Sequence, residues 1–180
     1  KALEGRDADI VPCLRCMHCY HIATEHWNIQ CSVNPRFRRE NRVPRKLEKT
    51  VKPKTVVVVG GGPAGMKAVL TAEEQGHRVI LLERAAQLGG QLNWADYDDY
   101  KKELKAYREY LIRQIVKSSV EVRLETEATP EMIASLAPDD LILGLGAEFI
   151  TPRIPGAEYA RQAVGMGVSE YIMKPIKTPS

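Results

Sequence analysis

An α/β fold built on a parallel sheet is predicted by three features: an apolar run that stops at glycines and restarts as a helix, a second apolar run ending in an acid, and continued strand–helix alternation downstream. Val56-Val57-Val58-Val59 is too uniformly apolar for a half-exposed strand and reads as a central strand buried on both faces. Gly60-Gly61-Gly62-Pro63-Ala64-Gly65 follows at once and contains G-x-G-x-x-G. Gly60 permits the tight turn, Gly62 admits a pyrophosphate against bare backbone, and Gly65 lets helix and strand pack closely. A phosphate there meets a helix N-terminus, where N–H groups and the dipole favour negative charge.

Met66 to Gln75 completes the helix with Ala68, Val69 and Ala72 toward the sheet, and Gly76 is placed as its C-terminal cap. Val79-Ile80-Leu81-Leu82 is the second strand, ending at Glu83 and followed by Arg84. An acid about 20 residues beyond a glycine turn hydrogen-bonds an adenosine ribose through its 2′-hydroxyl, and its charge disfavours a 2′-phosphate. The joint order of strand, turn, helix, strand and acid predicts a dinucleotide site more strongly than the glycines alone.

Leu88-Gly89-Gly90-Gln91-Leu92 is a second glycine pair, suited to a turn or to close approach of backbone to a ligand. From Tyr100 to Ser118 a long helix is expected, with Leu104, Tyr107, Leu111 and Ile115 facing the core and Lys101, Lys102, Glu103, Lys105 and Arg108 facing water. Val120 to Leu124 alternates as a strand, Pro130 to Leu136 reads as a short helix, and Leu141-Ile142-Leu143 as another buried strand. Phe149 to Pro155 is irregular, and residues 161 to 180 show no persuasive period.

The 180 residues carry a net charge of +3, with the excess concentrated between Arg36 and Lys54. Pro44 and Pro53 interrupt that stretch, which reads as a basic, solvated linker; Phe37 is its only aromatic, so nucleic acid is not expected as a partner. No run reaches the roughly 18 to 20 apolar residues that span a bilayer, and the first residues lack a signal-peptide core. No membrane partner is expected, and the location expected is cytoplasmic. The absence of an initiating Met fits a processed, trimmed or fragmentary chain.

All four cysteines, Cys13, Cys16, Cys19 and Cys31, lie in one segment with spacing C-x2-C-x2-C-x11-C. Crowding of this kind argues against a disulfide framework and for a metal. Three bunched thiolates and one outlying suit a [4Fe–4S] cluster. Structural zinc, which more often takes two separated C-x2-C pairs, and unligated thiols are the alternatives. His18, His21 and His26 interleave with the cysteines and read as neighbours or surface residues, because four thiols already complete a ligand set.

Taken together, the cysteine segment with its Cys31-Ser32-Val33-Asn34-Pro35 ending, the turn Gly60 to Met66, Leu88 to Gln91 and Ile154-Pro155-Gly156 resemble one family. It is the iron–sulfur flavoproteins of the Old Yellow Enzyme-like NADH:flavin oxidoreductases, including 2,4-dienoyl-CoA reductase, enoate reductases and trimethylamine dehydrogenase. The resemblance covers residues 7 to 160 and matches the C-terminal portion. It implies a partial Rossmann-like FAD-binding domain over residues 54–160, an iron–sulfur segment over 1–40, a basic linker over 41–53 and an unassigned tail over 161–180. The ADP half of FAD would meet Gly60, Gly61, Gly62, Pro63, Ala64, Gly65, Glu83 and Arg84. Gly89, Gly90, Gln91 and Leu92 would lie along the pyrophosphate and flavin, with Ala128 near the adenine and Gly146 near the flavin. Cys13, Cys16, Cys19 and Cys31 would hold the [4Fe–4S] cluster.

Two local departures stand out. The family's usual three residues between the second and third cysteines are two here, and its Ala-Thr-Gly near the flavin is Gly144-Leu145-Gly146, without the threonine hydroxyl. The family's FMN-binding (β/α)8 barrel and its NAD(P)H-binding domain, with the FMN and substrate sites, have no counterpart in these residues. They are the partners the resemblance implies. The expected function is electron transfer from FAD through the cluster to FMN, which reduces an activated alkene such as an enoate or dienoyl-CoA, with no catalytic residue in this chain. The alternatives are a zinc-bearing, non-enzymatic binding module and an inactive truncated fragment.

Overall fold

The computed structural model describes residues 1–25, 28–95 and 99–147. His26, residues 149–155, the Ile154-Pro155-Gly156 match and the tail therefore lie outside the described residues. Four strands, β1 (Thr55–Val59), β2 (Arg78–Leu82), β3 (Glu121–Arg123) and β4 (Asp140–Leu143), form one sheet in the order β3-β2-β1-β4. Every pairing is parallel, and register runs from Thr55 opposite Arg78 to Val59 opposite Leu82. Parallel neighbours need crossovers, supplied by α2 (Pro63–Glu74), α4 (Lys102–Lys117) and α5 (Pro130–Leu136). Two short helices, α1 (His18–Thr24) and α3 (Leu92–Ala95), lie in the cysteine segment and after the second glycine pair. All these elements belong to one compact unit, Lys1–Gly146; of the second, Ala147–Ser180, only Ala147 is described.

Strand alternation sends Val56, Val58, Val79 and Leu81 to one face of the sheet, where they meet Met66, Val69 and Ala72 of α2 and Tyr107, Leu111 and Ile115 of α4. The other face, Val57, Val59, Ile80 and Leu82, is covered by Ala128 and by Met132, Ile133 and Leu136 of α5. β1 and β2 are thus buried on both sides, as continuous apolar runs require. Gly76, at φ +87°, ends α2, and the His77 N–H donates to the Ala72 carbonyl at 3.1 Å. Thr129 caps α5 by accepting from Met132 N at 3.2 Å, with Pro130 in the first turn.

Two expectations change. Leu141, Ile142 and Leu143 are exposed by 42%, 38% and 61%, not buried, because β4 is an edge strand and the helices cover β1 and β2. Glu103 and Arg108 do not simply face water: Glu103 pairs with Arg15 at 2.6 Å and Arg108 donates to Asn93 at 2.9 Å. The basic stretch forms turns without a helix or strand, and Arg38, Arg39, Arg42, Arg45 and Lys46 are exposed.

Leu111→Ala, which empties a position 1% exposed between α4 and the sheet, is expected to cost about 2–5 kcal/mol in urea unfolding. Gly65→Ala puts a methyl against the Gly60 carbonyl, backbone that cannot step aside, so it is expected to lower the unfolding midpoint although alanine is the better helix former.

Candidate dinucleotide and cysteine sites

The strand order reverses direction at β1, whose neighbours β2 and β4 are reached through helices on opposite faces. A crevice outside the carboxyl ends of the strands at such a point is where ligands enter open α/β sheets. Here that crevice is framed by backbone. Gly60, at φ +105°, would carry a Cβ into the Gly144 carbonyl, and a Cβ on Gly65 would meet the Gly60 carbonyl. β4 therefore closes against the turn because Gly60 has no side chain; Gly144 N continues the ladder to Val59 O at 2.7 Å. Gly62 is different: the nearest atom to its missing Cβ is Gly90 Cα at 4.0 Å, so its outer side is open. No side chain caps the N-terminus of α2. An anion is the partner such a terminus accepts.

Glu83 binds this turn to the end of β2. One carboxylate oxygen accepts from Gly61 N at 2.5 Å and the other from Ala85 N at 2.7 Å, while the residue is only 8% exposed. Each oxygen has capacity for a second donor, so a ribose hydroxyl can be received without breaking either bond. Arg84 follows as an exposed residue. The second glycine pair sits against the first: Gly89 N donates to Gly61 O at 2.9 Å, and a Cβ on Gly90 would come 2.9 Å from Gly62 Cα. Gly60 to Gly65, Glu83, Gly89 and Gly90 are thereby assembled in one place, and Gln91 and Leu92 lead from the pair into α3. Pro63 and Ala64 are the first residues of α2. Ala128 packs on the far face of the sheet with α5, and Gly146, at φ +74°, stands in open space beyond β4. These residues fit FAD through two features, the side-chain-free cradle at Gly62 and Gly90 and the carboxylate beside it.

The four cysteines are all free thiols, Cys13 and Cys16 exposed and Cys19 and Cys31 half-buried. Arg15 and Met17, between them, adopt positive φ of 50° and 57°, which folds the segment back on itself. Arg15 N approaches Cys13 Sγ at 3.4 Å, and Cys16 Sγ lies 3.4 Å from Ser32 Oγ, bringing the first cysteine loop beside the Cys31 loop. The Ser32 hydroxyl, and after it the His18 backbone N–H, hold the Cys16 thiol below its ordinary pKa, the direction a thiolate ligand needs. The donor set suits a soft metal or a cluster. Among the described residues, however, no three His, Cys, Asp or Glu side chains converge as a ready metal site.

Helix α4 seats the cysteine segment. Leu14 and Val33 pack against the core cluster to which Tyr107, Leu111 and Ile115 belong, Arg15 pairs with Glu103, and upstream Asp9 accepts from Lys117 at 2.5 Å and Gln114 at 3.2 Å. These two bonds, Lys117 first, hold the Asp9 carboxyl below the usual carboxylate range. Burial, then Tyr110 and Cys31, push the Tyr107 hydroxyl up. Asn93 and Arg108 also reach the second glycine pair; the sequence gives Arg108 only a water-facing place on its helix, and its one signal for Asn93 is a position three residues beyond Gly90.

Comparison with known proteins agrees with this geometry. Residues 55–132 match the FAD dependent oxidoreductase family. The chain is 44% identical over 160 residues to an NADH oxidase of Thermoanaerobacter brockii, covering 88% of this chain and 24% of that protein. It is 31% identical over 159 residues to a cinnamate reductase of Clostridium sporogenes, again covering 88% and 24%. A solved 2-naphthoyl-CoA reductase complexed with 2-naphthoyl-CoA superposes with a TM-score of 0.80 at 32% identity, covering 88% of this chain and 24% of that one. The chain thus spans about a quarter of the length of these relatives. Among the described residues no helix is long and apolar enough to cross a membrane. With its parallel sheet, double glycine turn and Cys-rich N-terminal segment, the chain belongs to the FAD-dependent oxidoreductases, as the C-terminal portion of the 2,4-dienoyl-CoA reductase and enoate reductase-like family.

Proposed function

We propose that this chain is the electron-transfer module of an NAD(P)H-dependent flavin and iron–sulfur oxidoreductase, with FAD on the glycine turns and a [4Fe–4S] cluster on Cys13, Cys16, Cys19 and Cys31. The observation that carries the reading is that one helix, α4, contacts both the cysteine segment, through Arg15–Glu103, and the side chain that supports the second glycine pair, through Arg108–Asn93. Bound there, the two groups would supply acceptance of a hydride as an electron pair and its release as single electrons to an FMN barrel elsewhere in the enzyme. The residues of this chain provide the holding. Glu83 orients the ribose, the N-terminus of α2 and the bare backbone at Gly62 and Gly90 receive the pyrophosphate, and α4 fixes the cysteine segment to the same core. Reduction of an activated alkene is supported by the likeness to a cinnamate reductase and to a multifunctional alkene reductase/demethylase, and three-quarters of the cinnamate reductase's length lies outside the match, room for a barrel partner.

Anaerobic reconstitution of the full chain is expected to yield about four irons and four sulfides, with a paramagnetic signal on reduction. Cys31→Ser should lower both; stoichiometric zinc without sulfide would falsify the cluster assignment. Glu83→Ala is expected to weaken FAD on the order of tenfold or more, read by quenching of flavin fluorescence, because a hydrogen bond to a carboxylate and the support of Gly61 are both removed. Glu83→Gln, which preserves shape, should fall between; unchanged affinity in both variants would place the ribose elsewhere.

A further inference from the structure

The turn Leu88–Gly90 is held from two sides. Toward the crevice it leans on the first glycine turn, through Gly89 N to Gly61 O at 2.9 Å and the close approach of Gly90 to Gly62. Behind it stands Asn93. Its Nδ2 donates to the Leu88 carbonyl at 3.2 Å, and its Oδ1 accepts from Arg108 Nη1 at 2.9 Å. An arginine only donates, so the guanidinium fixes which way the amide faces and thereby aims Nδ2 at Leu88. The fit leaves no slack: a Cβ on Gly89 would run into Asn93 Oδ1 and lie 2.9 Å from Arg108 Cδ.

We propose that Asn93 and Arg108 are positioning residues for the dinucleotide site, a two-member brace that holds the Gly89–Gly90 backbone at the spacing from Gly62 that a pyrophosphate needs. The inference rests on the FAD reading of the crevice for its ligand. Neither side chain need touch the cofactor; each acts through the turn. The brace also ties the pyrophosphate wall to α4, so the wall is fixed to the same helix that seats the cysteine segment.

The test uses the full chain with Asn93→Ala, Asn93→Asp, Arg108→Ala and Arg108→Lys, each checked by circular dichroism. FAD affinity is expected to fall on the order of tenfold in Asn93→Ala and Arg108→Ala. The double alanine variant should be no worse than the more affected single one, because the two residues form one chain of bonds. Asn93→Asp keeps an acceptor for Arg108 but sets an oxygen against the Leu88 carbonyl, so it should lose affinity like alanine; Arg108→Lys should retain part of it. Amide hydrogen exchange at Gly89, measured without any cofactor, should quicken in the alanine variants. Folded variants with wild-type exchange at Gly89, or full tolerance of Asn93→Asp, would overturn the brace. Faster exchange in a chain that binds no FAD even as wild type would uphold the brace and reject the FAD reading instead.

Discussion

Three stretches of main chain meet around Gly60 and Gly65, where no Cβ can fit, and the unit is organised by that constraint. Gly60 turns out of β1, Gly65 lets α2 lie on the Gly60 carbonyl, and Gly144 brings the end of β4 onto the same turn. Close approach sets how far the strands reach and where the N-terminus of α2 points. Helical propensity disfavours Gly65 by about 1 kcal/mol against alanine, so the docking of helix on strand must outweigh it. Burial supplies the counterweight: Val57, Val58, Met66, Val69, Leu81 and Leu82 are removed from water completely, at roughly 1.5–3 kcal/mol for a side chain of that size.

Around that turn the polar groups are few and committed. Glu83 is the single charged residue among the buried ones described, and both of its oxygens already hold backbone N–H groups. A carboxylate so placed costs little to keep buried because it is satisfied, and it stiffens the turn it faces. Helix α4 then extends the arrangement outward. Its buried stripe of Tyr107, Leu111 and Ile115 faces the sheet, and its flanks bind the cysteine segment at Glu103, Gln114 and Lys117. The cysteine segment has little regular structure of its own beyond α1, and its place on the core comes from these contacts.

What the sequence made legible was local. Four valines before a glycine turn, Gly76 after an amphipathic helix, and Pro130 at the start of α5 each act within a few residues, and the structure places them as the spacing implies. What it hid depends on distant neighbours. Leu141 to Leu143 carry the composition of a buried strand, yet their burial depends on which elements cover an edge, and periodicity carries no such information. Arg108 has the position of a solvated face, and only the folded chain brings Asn93, fifteen residues earlier, within reach of it. The cysteine spacing suits a soft ligand set, whereas among the described residues the thiols do not converge on one centre, a three-dimensional matter that spacing does not carry. Ala128 likewise takes a packing role against β1 and β2 that only the folded sheet shows.

On the proposed reading, the paired glycine turns and Glu83 hold the ADP half of FAD, so that adenosine and pyrophosphate carry most of the affinity. Competition separates that claim from its rivals most directly. With FAD bound to the full chain, excess ADP is predicted to displace it competitively while FMN at the same concentration, which carries the flavin ring without an adenosine, leaves it in place. Displacement by FMN as effective as by ADP would contradict the account.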